Sequence, residues 1–393
     1  MNTAAPYLPA APWTAREDLA ALVAALGSDN VRWVGGAVRD TLLGHPVADI
    51  DAATLHPPQT VMERLGQAGI RAIPTGIDHG TVTAILPGGN VEVTTLRHDV
   101  STDGRRATVA FATDWREDAQ RRDFTINALY VDPVTLELFD WFEGTADLKA
   151  HRVRFIGDAR QRIREDHLRI LRYYRFQARF GSELDDEAEE ACAQLAPTLK
   201  GLSRERVAAE LLNLLSLPDP SATVERMEAR GVLPVILPEA GAPGVAALHA
   251  LVDEESRQGA RSDPLRRLAA LLPADPRAAE QVAARLRLSA AQKKRLVTAA
   301  GRKPDPGEAR SLAYHLGHDE AIDRLLLAGA DISPLSGWDI PQFPIKGGQI
   351  VARGISAGPE VARILREIEH RWVEEGFPGP ERATALLDER LPR

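Results

Sequence analysis

Residues 35–51 read GGAVRDTLLGHPVADID. A strand-like run, VRWVG (31–35), leads into them, AVRDTLL (37–43) has a helical composition, and Gly44 stops it. VADIDAAT (47–54) alternates and is expected to form a second strand. On that strand Asp49 and Asp51 stand two residues apart, so both carboxylates project from one face together with Val47. Ala48, Ile50 and Ala52 take the other face and can pack inward. Two ionised carboxylates side by side repel unless a cation lies between them, and Mg²⁺, which prefers oxygen ligands, is the natural occupant. Two such ions a few Å apart can activate an attacking hydroxyl and stabilise a departing pyrophosphate. Gly35 and Gly36 have no Cβ, so backbone N–H groups can approach a phosphate at the start of a helix. Arg39, one turn later, is placed to clamp a phosphoryl oxygen. A Gly-Gly pair alone is usually a turn, and an Asp-x-Asp alone a surface acid; their order and spacing point to phosphate chemistry.

Beyond this stretch, TVTAILP (81–87) and NVEVTTLR (90–97) read as two strands joined by a hairpin signal, Pro87-Gly88-Gly89-Asn90. Residues 98–108, HDVSTDGRRAT, are polar without periodicity and are expected to be a loop. RRDFTINALYVDP (121–133) reads as a helix running into a strand. After about residue 145, segments with 3.6-residue periodicity take over, at 159–180, 186–196, 204–216, 246–256 and 276–287. Turn signals such as LPDPS (217–221) and KPDPG (303–307) punctuate them. The expected architecture is an α+β head, a small mixed sheet flanked by helices, over residues 1–145. A helical neck follows over 146–220, then an all-α body and tail over 221–393.

A length of 393 residues suits two or three domains, and 44% hydrophobic with 26% charged residues suits a globular protein rather than a disordered one. The single cysteine, Cys192, excludes an intrachain disulfide and a multi-cysteine zinc site. No apolar run approaches the ~20 residues that span a bilayer. MNTAAPYLPAAPW (1–13) lacks the basic start and apolar stretch of a signal peptide, so a cytoplasmic protein is expected. The net charge of -8 argues mildly against a nucleic-acid partner. From His151 to Phe180, however, nine arginines (152, 154, 160, 162, 164, 169, 172, 175 and 179) meet only Asp158, Glu165 and Asp166, a local balance of +6. Such a stripe is either a footprint for phosphate or an arginine-rich solvated helix, and charge alone does not separate the two.

Residues 35–51 resemble the signature of the DNA polymerase β-type nucleotidyltransferases, and within them the class II tRNA nucleotidyltransferase and bacterial poly(A) polymerase family. Further segments resemble that family in its order. TGIDHGTVT (75–83) is similar to its strand-entry segment and RRDFTINAL (121–129) to its second motif. FDWFEGTADLKAHRVRFIGD (139–158) resembles its third region, EDHLRILRYYRF (165–176) its nucleotide-template helix, and LSRERVAAELLNLL (202–215) the helix after that. The likeness covers roughly residues 31–216, about half the chain.

The resemblance implies that Asp49 and Asp51 are the catalytic, metal-binding pair, and that Gly35, Gly36 and Arg39 cradle a triphosphate. It implies that Arg122, Asp123 and Asn127 hold ribose and triphosphate, a helix N-cap being the structural alternative for Asp123. Glu92 either supplies a third carboxylate or pairs with Arg97. Asp166 and Arg169, three apart and so neighbours on a helix face, would select the base. Cytosine and adenine present an amino group beside a ring-nitrogen acceptor, whereas uracil and guanine present a carbonyl beside a ring N–H. A carboxylate only accepts and a guanidinium only donates, so Asp166 suits the amino group and Arg169 the ring nitrogen. Arg172 and Arg175 would meet the triphosphate or the tRNA backbone. His167 stands where a proline is common, and STDGRRATVAF (101–111) resembles the loop that helps full CCA-adding members switch from C to A. Residues 343–376 resemble the family's terminal helical segment, where Lys346, Arg353 and Arg371 either touch tRNA or are solvated, the second being favoured.

The implied activity is addition of C, C and A from CTP and ATP to the 3′ end of tRNA with Mg²⁺, with the body and tail binding tRNA. No membrane and no stable protein partner is implied. Poly(A) polymerase and CC-only or A-only addition share these motifs. An RNA-binding protein with a degenerate head is the non-enzymatic alternative.

Overall fold

Short β-branched and apolar runs of the head pair into one mixed sheet of seven strands. The computed structural model describes residues 6–77, 80–102, 107–302 and 309–391. The strands are β1 (Val31–Val34), β2 (Ile50–Thr54), β3 (Arg71–Gly76), β4 (Thr81–Ile85), β5 (Val91–Thr95), β6 (Arg97–Thr102), β7 (Ala107–Phe111), β8 (Leu129–Val131) and β9 (Leu138–Asp140). The sheet runs β3-β4-β5-β2-β1-β8-β9, with β2 and β5 parallel and the other neighbours antiparallel. Central β2 sets Asp51 opposite Val34 of β1 and opposite Glu92 of β5. β6 and β7 form a separate two-stranded ribbon.

The helices of this part are α1 (Glu17–Leu26), α2 (Gly36–Leu42), α3 (Pro58–Gln67), α4 (Trp115–Gln120), α5 (Gly144–Lys149), α6 (Ala159–Glu165), α7 (Arg169–Phe180), α8 (Asp186–Leu195) and α9 (Arg204–Leu215). α2 packs against β1, β2 and β8, which fixes the chain between the glycines and the aspartates. α7 is amphipathic because Ile170, Leu171, Tyr173, Tyr174, Phe176, Gln177 and Phe180 are buried while its arginines share the opposite side. Phe124 seats it, with ring centroids 4.9 Å from Phe155 and 5.1 Å from Phe176. Each such buried ring stabilises the joint by about 1.5–3 kcal/mol. Gly144 is required where α5 meets the turn Thr125–Asn127, since a Cβ there would lie 2.3 Å from the Thr125 carbonyl oxygen. Buried Asp147 of α5 pins the same turn, accepting from Thr125 Oγ1 at 2.6 Å.

Four local expectations need correction. The second strand begins at Ile50, so Asp49 lies in the irregular segment before it rather than on a common strand face. Much of 98–108 is not loop: the backbone pairs as β6 and β7, where Val100, Thr102, Thr108 and Val109 supply β-branched residues, and 103–106 lie outside the described residues. Residues 121–133 hold a single 3-10 turn before β8, not a longer helix. The helix expected over 159–180 is two helices, broken at 166–168.

The chain forms two compact units, one of residues up to Leu214 with Ala222–Ile236, the other of Leu215–Ser221 with Leu237 onward. The change from mixed to helical structure near residue 145 falls inside the first unit. The second is helical, from Gly241–Arg257 to Pro380–Arg390, and Trp372 is buried among Ile345, Ile364, Ile368 and Leu386. It also buries an ionic cluster in which Arg266 donates to Glu255 at 2.6 Å and to Asp323 at 2.9 Å. Arg267 donates to Glu255 and to the carbonyls of Leu215 and Pro218. Among the described residues no helix is long and apolar enough to cross a membrane.

Candidate active site

Asp51 is the centre of the acidic group. Burial raises its carboxyl to about 6, and the charges of Glu92 and then Asp49 add to that, against the opposing pull of Arg122 and Arg39. Glu92 is thus near enough to be felt as a third carboxylate, delivered by the parallel register of β5 on β2. Asp49 is exposed and Asp51 half-buried. Gly35 closes one side with φ 73°, and a Cβ there would stand 3.4 Å from Asp51 Oδ2 and 3.8 Å from Arg122 Nη1. Only a residue without a side chain keeps that gap open.

Crowded, partly desolvated carboxylates are a chemical fit for a divalent cation. No group of three or more His, Cys, Asp or Glu side chains forms a ready-made metal cage among the described residues.

Arg39, Asp123 and Asn127 form one buried chain. Arg39 Nη1 donates to Asn127 Oδ1 at 2.7 Å, and Asn127 Nδ2 donates to Asp123 Oδ1 at 3.0 Å. Asp123 Oδ2 accepts from Arg172 Nε at 2.8 Å and Nη2 at 2.5 Å. Burial pushes the Asp123 carboxyl up, but Arg172 and Asn127 more than offset it and hold the group below its usual range. Asp123 caps no helix; its Oδ1 takes the Phe124 N–H instead. Arg39 also bonds Asp40 and lies with its guanidinium 4.4 Å from the Phe180 ring centroid. Arg122 donates to Tyr130 Oη at 2.8 Å and reaches Asp118, which also receives Arg121 and the Tyr130 hydroxyl.

Asp166 and Arg169 do not share a helix face. Asp166 has extended backbone, φ -149° and ψ 104°, at the break before α7, and Arg169 is the first residue of α7. Asp166 Oδ1 accepts from the Leu168 N–H at 3.1 Å and Oδ2 from Arg206 Nη2 at 2.7 Å. Arg169 donates to Glu165, to the Arg162 carbonyl and to the Arg121 carbonyl. Arg175 Nε bonds Glu210 at 2.6 Å, and Arg179 lies 3.3 Å from Asp40.

Sequence reading missed the carboxylate partners. Asp118 and Glu165 were findable, standing three or four residues from Arg121, Arg122 and Arg169. Asp40, Glu210 and Arg206 meet their partners only through the fold. Eight of the nine stripe arginines face a carboxylate. Six carboxylate partners, Asp40, Asp123, Glu143, Asp147, Glu187 and Glu210, lie outside the stripe and bring its balance from +6 to zero.

Residues 31–154 match the poly A polymerase head domain, and residues 181–242 match a family described as the probable RNA and SrmB- binding site of polymerase A. The mitochondrial CCA tRNA nucleotidyltransferase 1 of Mus musculus is 36% identical over 384 residues, covering 92% of this chain and 87% of the relative. The CCA-adding enzyme of Streptococcus sanguinis is 31% identical over 381 residues, 91% of this chain and 93% of that one. Among solved structures, the CCA-adding enzyme of Bacillus stearothermophilus in complex with CTP superposes with a TM-score of 0.74 at 26% identity, over 95% of this chain and 97% of that chain. With likeness of this extent across both units, the chain belongs to the CCA-adding tRNA nucleotidyltransferase family.

Proposed function

We propose that this protein adds C, C and A to the 3′ end of tRNA, taking CTP and then ATP and releasing pyrophosphate. The observation that carries the reading is that the β2–β5 register sets Glu92 beside Asp51, next to the Cβ-free position at Gly35 and two residues after Asp49. Asp49 and Asp51 would hold Mg²⁺, which when bound supplies Lewis-acid stabilisation of the attacking hydroxyl and the leaving pyrophosphate. The chain's own residues do the positioning. Gly35 and Gly36 leave room for the triphosphate, and Arg39 and Arg122 set cationic groups beside it. Asp123 and Asn127 keep Arg39 and Arg172 in one arrangement. The 3′ oxygen bonds to the α-phosphorus as the bond to the β-phosphate bridging oxygen breaks.

Asp166 accepts from the amino group of cytosine or adenine, and Arg169 donates to the ring nitrogen. Three of Arg169's hydrogen bonds go to neighbouring acceptors, which leaves part of its five-donor fork for a base. Residues 221–393 bind the tRNA body. A reducing, cytoplasmic setting suits the single buried thiol, Cys192.

The test supplies Mg²⁺ and tRNAs ending before CCA, after C and after CC, with each nucleotide alone and in combination. Stepwise addition that stops after one A is expected. Long A tails would reassign the chain to poly(A) synthesis, a stop after CC would make it a CC-adding enzyme, and no incorporation would leave only RNA binding. Asp49→Ala and Asp51→Ala are each expected to abolish incorporation while tRNA affinity changes little.

A further inference from the structure

We propose that Arg206 is a positioning residue for nucleotide choice, holding the carboxylate of Asp166 in one orientation. This rests on the reading of Asp166 and Arg169 as the base-selecting pair. Ser203 accepts from the Arg206 backbone N–H at 3.3 Å and so shapes the first turn of α9. From that turn the Arg206 guanidinium reaches Asp166 Oδ2 at 2.7 Å, while Oδ1 takes the Leu168 N–H at 3.1 Å. Each oxygen therefore has one donor, and the partly exposed carboxylate keeps lone pairs to spare for a further donor.

Asp166 needs such a brace because of where it stands. It occupies the extended break between α6 and α7, where no helical turn restricts its side chain. Without Arg206, one backbone N–H holds one oxygen, and the carboxylate is free to pivot about that bond. Discrimination of an amino group from a carbonyl depends on an acceptor that cannot retreat. A fixed carboxylate facing uracil O4 or guanine O6 is repelled. One that can swing aside removes that penalty while weakening the bond to cytosine or adenine.

The side chains of Arg206 and Asp166 are 44% and 31% exposed, so the pair faces water and contributes little to fold stability. Its removal should therefore appear in selection rather than in folding.

The experiment measures kcat/KM of the full chain and of Arg206→Ala, Arg206→Lys and Asp166→Ala. CTP is compared with UTP on tRNA lacking CCA, and ATP with GTP on tRNA ending in CC, with KM for tRNA and thermal melting alongside. Arg206→Ala is expected to lower both preference ratios by about three- to tenfold. KM for tRNA and the melting temperature should be unchanged. Arg206→Lys, which keeps one donor, should recover part of the ratio. If Asp166→Ala collapses the ratios and Arg206→Ala leaves them intact, the brace is refuted while the base-selecting pair stands. If Asp166→Ala also leaves them intact, the pair itself falls and the brace with it. A raised KM for tRNA with unchanged ratios would make Arg206 a phosphate contact instead.

Discussion

At the scale of single residues, Asp51 carries the most informative strain. Its carboxyl is raised to about 6 from 3.8, through burial first and then the charges of Glu92 and Asp49. A raised carboxyl is more stabilising to the fold when protonated, so its contribution is fully present below pH 3.8 and is lost as pH rises through 6. Asp51→Asn should therefore stabilise the metal-free first unit at pH 8, by at most about 2–3 kcal/mol, while abolishing incorporation. That advantage should shrink towards zero as the pH is lowered to about 4. Melting curves in chelator across this range check the sign, and a variant less stable than the parent at pH 8 would show that the carboxylates do not repel. Addition of Mg²⁺ with CTP should raise the melting temperature of the parent and not of the variant. Gly35, Gly36 and the Asp-x-Asp spacing were legible because they are local. Glu92 was legible only as one of two alternatives, because its approach depends on the register of a parallel pairing between residues far apart in sequence.

At the scale of elements, the 3.6-residue period correctly marked α7 as a helix with an arginine face, yet concealed the break at 166–168. The sequence Glu165-Asp166-His167-Leu168 has no Gly or Pro to announce it. The signal is weaker: Asp166 bonds the Leu168 N–H with its own side chain, a local competitor to the helical bond. Likewise the β6–β7 ribbon was hidden because HDVSTDGRRAT is polar and lacks the period-two alternation that announces a half-buried strand. The break makes a prediction about His167. Its ring Nδ1 is buried without a hydrogen-bond partner, and its backbone N–H donates to no backbone carbonyl among the described residues. Asp166 already has the extended backbone that a following proline demands. His167→Pro should thus raise stability by about 0.4–1 kcal/mol, and leave kcat/KM for CTP and ATP within about twofold. A large loss of activity would mean that the imidazole, rather than the shape of the break, serves the site.

At the scale of the whole molecule, the question is how a chain of net charge -8 holds an RNA. The stripe of nine arginines offered one answer in sequence, where its balance is +6, but folding supplies six carboxylates that bring it to about zero. The terminal helices behave alike: Arg382 pairs with Glu375 and Glu389, Arg371 with Glu389, and Arg390 with Glu367. An arginine already facing a carboxylate gains less from a phosphate and releases fewer counterions on meeting one. Recognition built this way depends on shape and directed hydrogen bonds more than on bulk charge. The expected consequence is a shallow salt dependence. Between about 50 and 200 mM monovalent salt, tRNA affinity should fall by less than about a hundredfold, against about 10³–10⁵ for a protein that sets six to ten free cations on phosphates. Filter binding or anisotropy over that range decides it. A steep slope would mean that RNA strips the arginines from their carboxylates. In that case Glu210→Gln, which leaves Arg175 without its anionic partner, should strengthen tRNA binding. A shallow slope with no gain in Glu210→Gln would fix the ion pairs as parts of the bound state.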